Sequence, residues 1–277
     1  MKTINTIKKV SLATLVTFVL SFSSVFAQND TMYIMKSGAI VGQYNVNTEV
    51  DSVIFYKPIV AQNDTAGTFT DSRDGNEYNW VQIGNQVWMA ENLAYLPSVN
   101  MVADGSEDAA GSYYYVYGYD GTNVTDAKAT ANYTTYGVLY NWTAAMDGET
   151  SSTTNPSGIQ GVCPTGWHLP SDAEWTELTD YLGGTSIAGC KLKETGTTHW
   201  DSPNTGATNE TGFTALPGGY RYNNGPFVNI GRNGYWWSAS EYSAASAWSR
   251  YMGYVNSNVD RGSSNEGLGF SVRCVRD

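Results

Sequence analysis

The side chains able to do chemistry are few. His168 and His199 are the only histidines in 277 residues, and Cys163, Cys190 and Cys274 the only cysteines. General acid–base work and metal binding usually recruit a histidine. His168 stands before Leu169-Pro170, where it can brace the start of a helix, while His199 lies in a polar loop beside Trp200 and is open to either role. No cysteine spacing is C-x-x-C, so zinc or thioredoxin-like chemistry is not indicated. No G-x-S-x-G elbow occurs, and Leu216-Pro217-Gly218-Gly219 does not follow the strand-to-helix pattern of a phosphate loop. The stretch Asp71-Ser72-Arg73-Asp74-Gly75-Asn76 resembles a calcium loop but lacks the downstream bidentate Glu, so it reads as a hairpin turn. The expectation is a chain without catalytic residues, metal or cofactor.

Recognition chemistry remains. The chain has nine Trp and 20 Tyr. Trp88, Trp142, Trp167, Trp175, Trp236 and Trp237 fall in periodic or turn-adjacent contexts and belong in a core. Trp200 sits instead in a loop with Asp201, Asn204, Asn209 and Glu210, a flat apolar ring among hydrogen-bonding groups, as a sugar or peptide site requires. Tyr220, Arg221, Trp248 and Arg250 could line the same surface. The expected ligand-binding residues are therefore Trp200, Asn204, Asn209, Tyr220, Arg221 and Trp248, centred on the 197–225 loop.

The elements that position them start from Gly161 to Gly184. Ser171 is an N-cap with Glu174 three places on, a capping box, and Pro170 keeps Leu169 out of helical geometry. Trp175, Leu178 and Tyr181 or Leu182 form one apolar stripe, with Asp172, Glu177 and Asp180 toward water and Gly183-Gly184 ending the helix. A second helix is expected over 136–146, with Val138, Leu139, Trp142, Ala145 and Met146 on one face and Asp147-Gly148 as its stop. Strands are expected at Thr68 to Arg73 and Glu77 to Ile83 around Asp74-Gly75-Asn76, at Val87 to Met89 after Gly84-Asn85, and at Ala188 to Glu194. Tyr235 to Ser238, Ala247 to Tyr254 and Gly269 to Val275 complete the set. Between Pro97 and Thr135 the pattern is loop with one strand. Helices and strands segregate along the chain, which makes the fold α+β.

Upstream, residues 28–60 form a small β unit with strands at 33–36, 39–44 and 51–56, and 61–67 read as a linker. Residues 1–27 carry Lys2, Lys8 and Lys9, an apolar run and a small-residue end, the pattern of a cleaved signal peptide too short to span a bilayer. Cleavage leaves 12 basic against 26 acidic residues, a formal charge of −14, which argues against nucleic acid. No second apolar run could span a membrane. In an exported chain disulfides can form. Of the three single pairings that three cysteines permit, Cys163 with Cys274 is favoured, leaving Cys190 as a small buried hydrophobe.

These segments resemble the Fibrobacter succinogenes major paralogous domain family. The matching runs are DGNEYNWVQIGNQVWMAENL at 74–93, YGVLYNWTAAM at 136–146, GVCPTGWHLPSDAEW at 161–175, TNETGFTALPGGYR at 208–221, YWWSASE at 235–241 and GFSVRCVRD at 269–277. The resemblance implies a C-type lectin-like domain over 68–277, with short antiparallel strands and two main helices, following the small N-terminal β unit. It implies an exported surface or secreted protein, or one held in the periplasm, and does not imply an enzyme, an enzyme related to formylglycine-generating oxidases being the less favoured alternative. Leu169 to Trp175 is also similar to a segment of formylglycine-generating oxidases, which need a close cysteine pair near the C-terminus; only Cys274 stands there. C-type lectins place calcium with Glu-Pro-Asn and Trp-Asn-Asp runs, whereas this chain has Ser202-Pro203-Asn204, without the carboxylate, and no Trp-Asn-Asp. The expected partner is a glycan or surface protein. Pairing of the 28–60 unit with another chain in an appendage or matrix is the alternative.

Overall fold

The computed structural model describes residues 31–36, 39–45, 65–107 and 109–277. Contacts divide the chain into two units, Met1–Asn63 and Asp64–Asp277. In the first, β1 (Thr31–Lys36) and β2 (Ala39–Asn45) pair antiparallel, Thr31 opposite Asn45 and Lys36 opposite Ala39. The expected leader at 1–27 and the strand at 51–56 lie outside the described residues.

The second unit is α+β. Strand β3 (Ala66–Thr70) starts it, so Ala66 and Gly67 belong to a sheet rather than to the expected linker. It pairs with β4 (Glu77–Ile83), and Gly84-Asn85 turns β4 into β5 (Gln86–Met89). The first hairpin has a longer turn than its Asp-Gly-Asn signal implied. The buried Asp71 carboxylate accepts from the Arg73 backbone N–H at 3.0 Å and from its guanidinium at 2.7 Å, which ends β3 at Thr70. That carboxylate already holds a cation of the chain itself.

Residues 97–135, expected as loop with one strand, carry that strand as β6 (Tyr114–Tyr115) and also two short helices that were not expected, α1 (Val124–Lys128) and α2 (Ala131–Tyr136). Both helices have side-chain caps, from Asn123 and Thr130. The single helix expected over 136–146 is broken. Gly137 takes a φ of 74°, and a Cβ there would strike the Leu93 carbonyl. The chain then extends as β7 (Leu139–Tyr140) before Asn141 caps α3 (Trp142–Met146), which Asp147 ends in the left-handed region.

Strand β8 (Trp167–His168) leads into α4 (Asp172–Tyr181), whose capping box forms as expected. Gly184 N–H donates to the Thr179 carbonyl and Gly183 N–H to that of Asp180, closing the C-terminus in a Schellman motif. Leu182 is buried and Tyr181 is 65 % exposed, which settles which residue joins the stripe. Asp172 does not point to water: it is half-buried against two arginines. The strand expected at 188–194 is instead the end of α5 (Thr185–Leu192), and Cys190 on it is partly exposed rather than buried.

The remaining strands are β9 (Gly218–Arg221), β10 (Phe227–Ile230), β11 (Asn233–Ser243), β12 (Ser246–Gly253), β13 (Asp260–Asn265) and β14 (Val275–Arg276). They complete two five-stranded sheets, ordered β8-β14-β5-β4-β3 and β10-β9-β11-β12-β13. The stretch before β14 is held by single bridges, Phe270 to Tyr140 and Ser271 to Trp236, rather than by a full ladder.

Two cores lie on opposite sides of these strands. Met89, Trp237, Phe270, Val272 and Cys274 enter one, with Tyr140, Met146 and Leu169. Trp88, Trp236 and Val275 enter the other, with Trp175, Leu178, Leu192, Trp200 and Phe213. Successive strand residues point to opposite faces, so Trp88-Met89, Trp236-Trp237 and Cys274-Val275 each feed both cores. Trp175 is fully buried, with Trp88 at 4.6 Å and Phe213 at 6.1 Å between ring centres; truncating such a ring costs roughly 3–5 kcal/mol. The disulfide joins Cys163 to Cys274 across 111 residues, as expected.

Candidate functional site

The 197–225 loop does not offer the surface its composition suggested. Trp200 is 1 % exposed, and its indole N–H donates to the Ala215 carbonyl at 3.0 Å. Asn204 is buried and donates to the carbonyls of Glu194 and Gly196. Asn209 is half-buried; its amide oxygen accepts from Thr214 N–H at 2.8 Å and its amide nitrogen donates to the Thr214 hydroxyl. Arg221 is fully buried, donating to the carbonyls of Val102, Asp104 and Tyr222 and to the Ser106 hydroxyl, with its guanidinium 3.9 Å from the Tyr115 ring centre. These four residues fold the loop inward, because backbone carbonyls of neighbouring turns need their donors.

Lys193 does similar work beneath. Its buried ammonium donates to the carbonyls of Thr205, Gly253 and Asn256 at 3.2, 2.8 and 2.7 Å. Burial, with no carboxylate to offset it, pushes its pKa down to about 8.

Tyr220 stays at the surface, in company other than that of the loop. It is half-exposed on β9, and the parallel pairing of Gly219 with Gly234 sets it beside Tyr235 on β11, ring centres 4.8 Å apart. Tyr235 pairs across the ladder with Tyr251, 5.4 Å away and stacked, and Tyr222 stands 5.1 Å from Tyr220. Phe270 packs beneath, 5.8 Å from Tyr220 and 5.0 Å from Tyr235, and anchors the set to the core. The result is a ribbon of four rings across three strands, half-exposed at Tyr220, Tyr235 and Tyr251 and 44 % exposed at Tyr222. Asn229 lies at the Tyr235 hydroxyl, and Asp260 lies opposite Tyr251. Burial raises the pKa of Tyr220, Tyr235 and Tyr251; the Tyr222 hydroxyl adds to this at Tyr220, and the Asp260 charge at Tyr251. All three phenols therefore stay protonated and can donate. The signal missed in the sequence was register: Tyr235 and Tyr251 share a face only once β11 and β12 are paired.

Trp248 lies apart, on the other face of β12. The Arg261 guanidinium carbon is 3.4 Å from its ring centre, and Tyr242 meets it edge-on at 4.7 Å. Arg261 forks onto Asp172 through Nε at 2.9 Å and Nη2 at 2.8 Å, and buried Arg250 reaches the same carboxylate at 2.7 Å. Burial works against the Asp172 charge, but the two guanidinium groups outweigh it and hold the carboxyl below its usual range.

His168 bridges two carboxylates, Nε2 to Glu174 at 2.7 Å and Nδ1 to Asp277 at 2.8 Å. Burial disfavours its imidazolium, yet the two carboxylates win and raise its pKa. His199 contacts Glu194 at 2.9 Å. Among the described residues, no group of three His, Cys, Asp or Glu side chains is placed to hold a metal ion, and no helix is long and apolar enough to cross a membrane.

No curated protein and no solved structure matches the chain. A family model does, the Fibrobacter succinogenes major domain, over residues 81–276. That span holds the Trp175 core entire, all of the other core but Tyr78 and Trp80, the disulfide and the tyrosine ribbon, and the chain belongs to the Fibrobacter succinogenes major domain family.

Proposed function

We propose that the protein is an exported, non-enzymatic binding module that holds a glycan on the Tyr220–Tyr222–Tyr235–Tyr251 ribbon. The observation that carries this reading is the ribbon itself: a rigid, half-exposed aromatic strip anchored on Phe270, edged by phenol hydroxyls, Asn229 and Asp260. Flat rings with a few fixed polar groups suit the apolar faces and hydroxyls of a sugar. A C-type lectin-like architecture is part of the proposal, supported by the α+β plan of short, mostly antiparallel strands and by the bond linking Cys163 to the last segment. Export to the cell surface, medium or periplasm is supported by the leader-like pattern of residues 1–27 together with that disulfide. A formylglycine-generating oxidase role is opposed by Cys274, whose sulfur is tied to Cys163 and is not free for the close thiol pair that those enzymes need.

The test is a glycan array followed by calorimetry on the full chain. Tyr222→Ala and Tyr251→Ala remove half-exposed rings without touching either core, and each is expected to weaken binding roughly tenfold. Wild-type affinity in both variants would remove the ribbon from consideration.

A second reading rests on the β1–β2 pair. Among the described residues both of its outer edges lack a partner strand, and such edges invite pairing with another chain. Under this reading the protein is a structural component of an appendage or matrix, and deleting residues 28–60 abolishes self-association. A deletion that leaves the oligomeric state unchanged rejects it.

A further inference from the structure

The Trp248 cluster lies apart from the tyrosine ribbon and differs from it in chemistry. Arg250 pairs with Arg261 and Trp248 with Ser263, one residue out of phase with the Tyr251–Asp260 pair, so this cluster and the tyrosine ribbon occupy opposite faces of the β12–β13 ladder. Arg261 is held from two directions, by the two-pronged bond to Asp172 and by the flat contact with Trp248. Its side chain is nevertheless 44 % exposed, and Tyr242 beside it is 57 % exposed.

The bonds to Asp172 use Nε and Nη2 only. Among the described residues, Arg261 Nη1, the Trp248 indole N–H and the Tyr242 hydroxyl have no hydrogen-bond partner. The cluster is thus a set of free donors on a pre-positioned aromatic step. Two guanidinium charges face one carboxylate there, leaving one net positive charge in a chain whose formal charge is −11. A ligand that only accepts hydrogen bonds and carries negative charge fits this set. A neutral hydroxyl gains no charge attraction there and finds only the Tyr242 oxygen to donate to.

We infer that the Tyr242–Trp248–Arg261 shelf binds the carboxylate of a uronate residue in an acidic polysaccharide, with the sugar ring against Tyr242. A carboxylate is planar and offers two oxygens at once, one for Arg261 Nη1 and one for the indole N–H. Because Arg261 is already immobilised, little side-chain entropy is lost on binding. The site is independent of the ribbon and stands or falls separately.

The experiment is affinity electrophoresis of the full chain through gels containing polygalacturonate, with the same polymer after reduction of its carboxyls to alcohols as comparison. Wild-type protein is retarded by polygalacturonate, and added salt weakens the retardation. Arg261→Gln weakens it roughly tenfold to a hundredfold, the range for losing a charge-assisted bond, and makes no difference in the reduced polymer. Tyr242→Ala, at an exposed ring that carries no core packing, weakens it about tenfold and keeps the test valid should Arg261→Gln fold poorly. Absence of retardation for the wild type, equal retardation in both polymers, or wild-type behaviour of Tyr242→Ala and folded Arg261→Gln would each overturn the inference.

Discussion

Replacing Glu174 tests the assembly of the fold most sharply, because one buried carboxylate serves three donors. It accepts from Ser157 N–H at 2.7 Å, from Ser171 N–H at 3.1 Å and from His168 Nε2 at 2.7 Å, and the residue is 2 % exposed. Glu174→Ala leaves two buried backbone N–H groups without acceptors, at about 1–3 kcal/mol each, and removes a charged partner from His168. Water entering the vacated space offsets part of this, so about 4 kcal/mol is expected, a large share of the roughly 5–15 kcal/mol available to a domain. Glu174→Gln keeps the volume and one acceptor oxygen and should cost about 2 kcal/mol. The loss also depends on pH. The folded pKa of His168 is raised above 6.5, so its contribution is complete below pH 6.5 and fades as pH rises through the folded value. The gap between wild type and Glu174→Gln, measured by urea unfolding with tryptophan fluorescence, should therefore be wider at pH 6 than at pH 9. A cost below about 1 kcal/mol for Glu174→Ala would refute the accounting of its donors, and a gap that does not change with pH would refute the ion pair.

Three further outcomes are expected. Cys163→Ser with Cys274→Ser opens a crosslink spanning 111 residues and should cost about 4–5 kcal/mol in the chain-entropy view, seen as a fall in thermal midpoint that reductant reproduces in the wild type. Lys193 has a folded pKa near 8 against 10.5 unfolded, so the unfolded chain binds more protons between those values and stability rises with pH there; Lys193→Met should abolish that rise in unfolding curves taken from pH 8 to 10. Gly189→Ala would place a methyl group against the carbonyl oxygens of Ser257 and Asn258, and should lower stability by about 2 kcal/mol or more in the same assay, although alanine is the better helix former.

What the sequence could express depended on how local the cause was. The α4 helix was legible to the residue because Pro170, Ser171, Glu174 and Gly183-Gly184 act within a turn of its ends. The Gly84-Asn85 hairpin was legible for the same reason. Helix α5 was not: Gly184 supplies no side-chain cap, and Gly189 in its middle is tolerated because the 257–258 backbone packs against it. The break at Gly137 was likewise set from a distance, by the Leu93 carbonyl. Trp200 and Arg221 misled because a loop rich in Asn, Thr and Gly reads as wet, whereas here its polar groups satisfy one another and bury the large side chains between them. The ribbon needed β9, β11 and β12 in register before Tyr235 and Tyr251 became neighbours of the Tyr220–Tyr222 pair.

The alternation of Trp88-Met89, Trp236-Trp237 and Cys274-Val275 between two cores limits how the chain can err and how it can vary. A one-residue slip in pairing would exchange the contents of two compartments that differ in shape, so misaligned pairings are rejected on both sides at once. Substitution in these strands is policed from two directions. Substitution is therefore least constrained where only one side is enclosed: at Tyr220, Tyr222 and Tyr251, and on the shelf around Trp248.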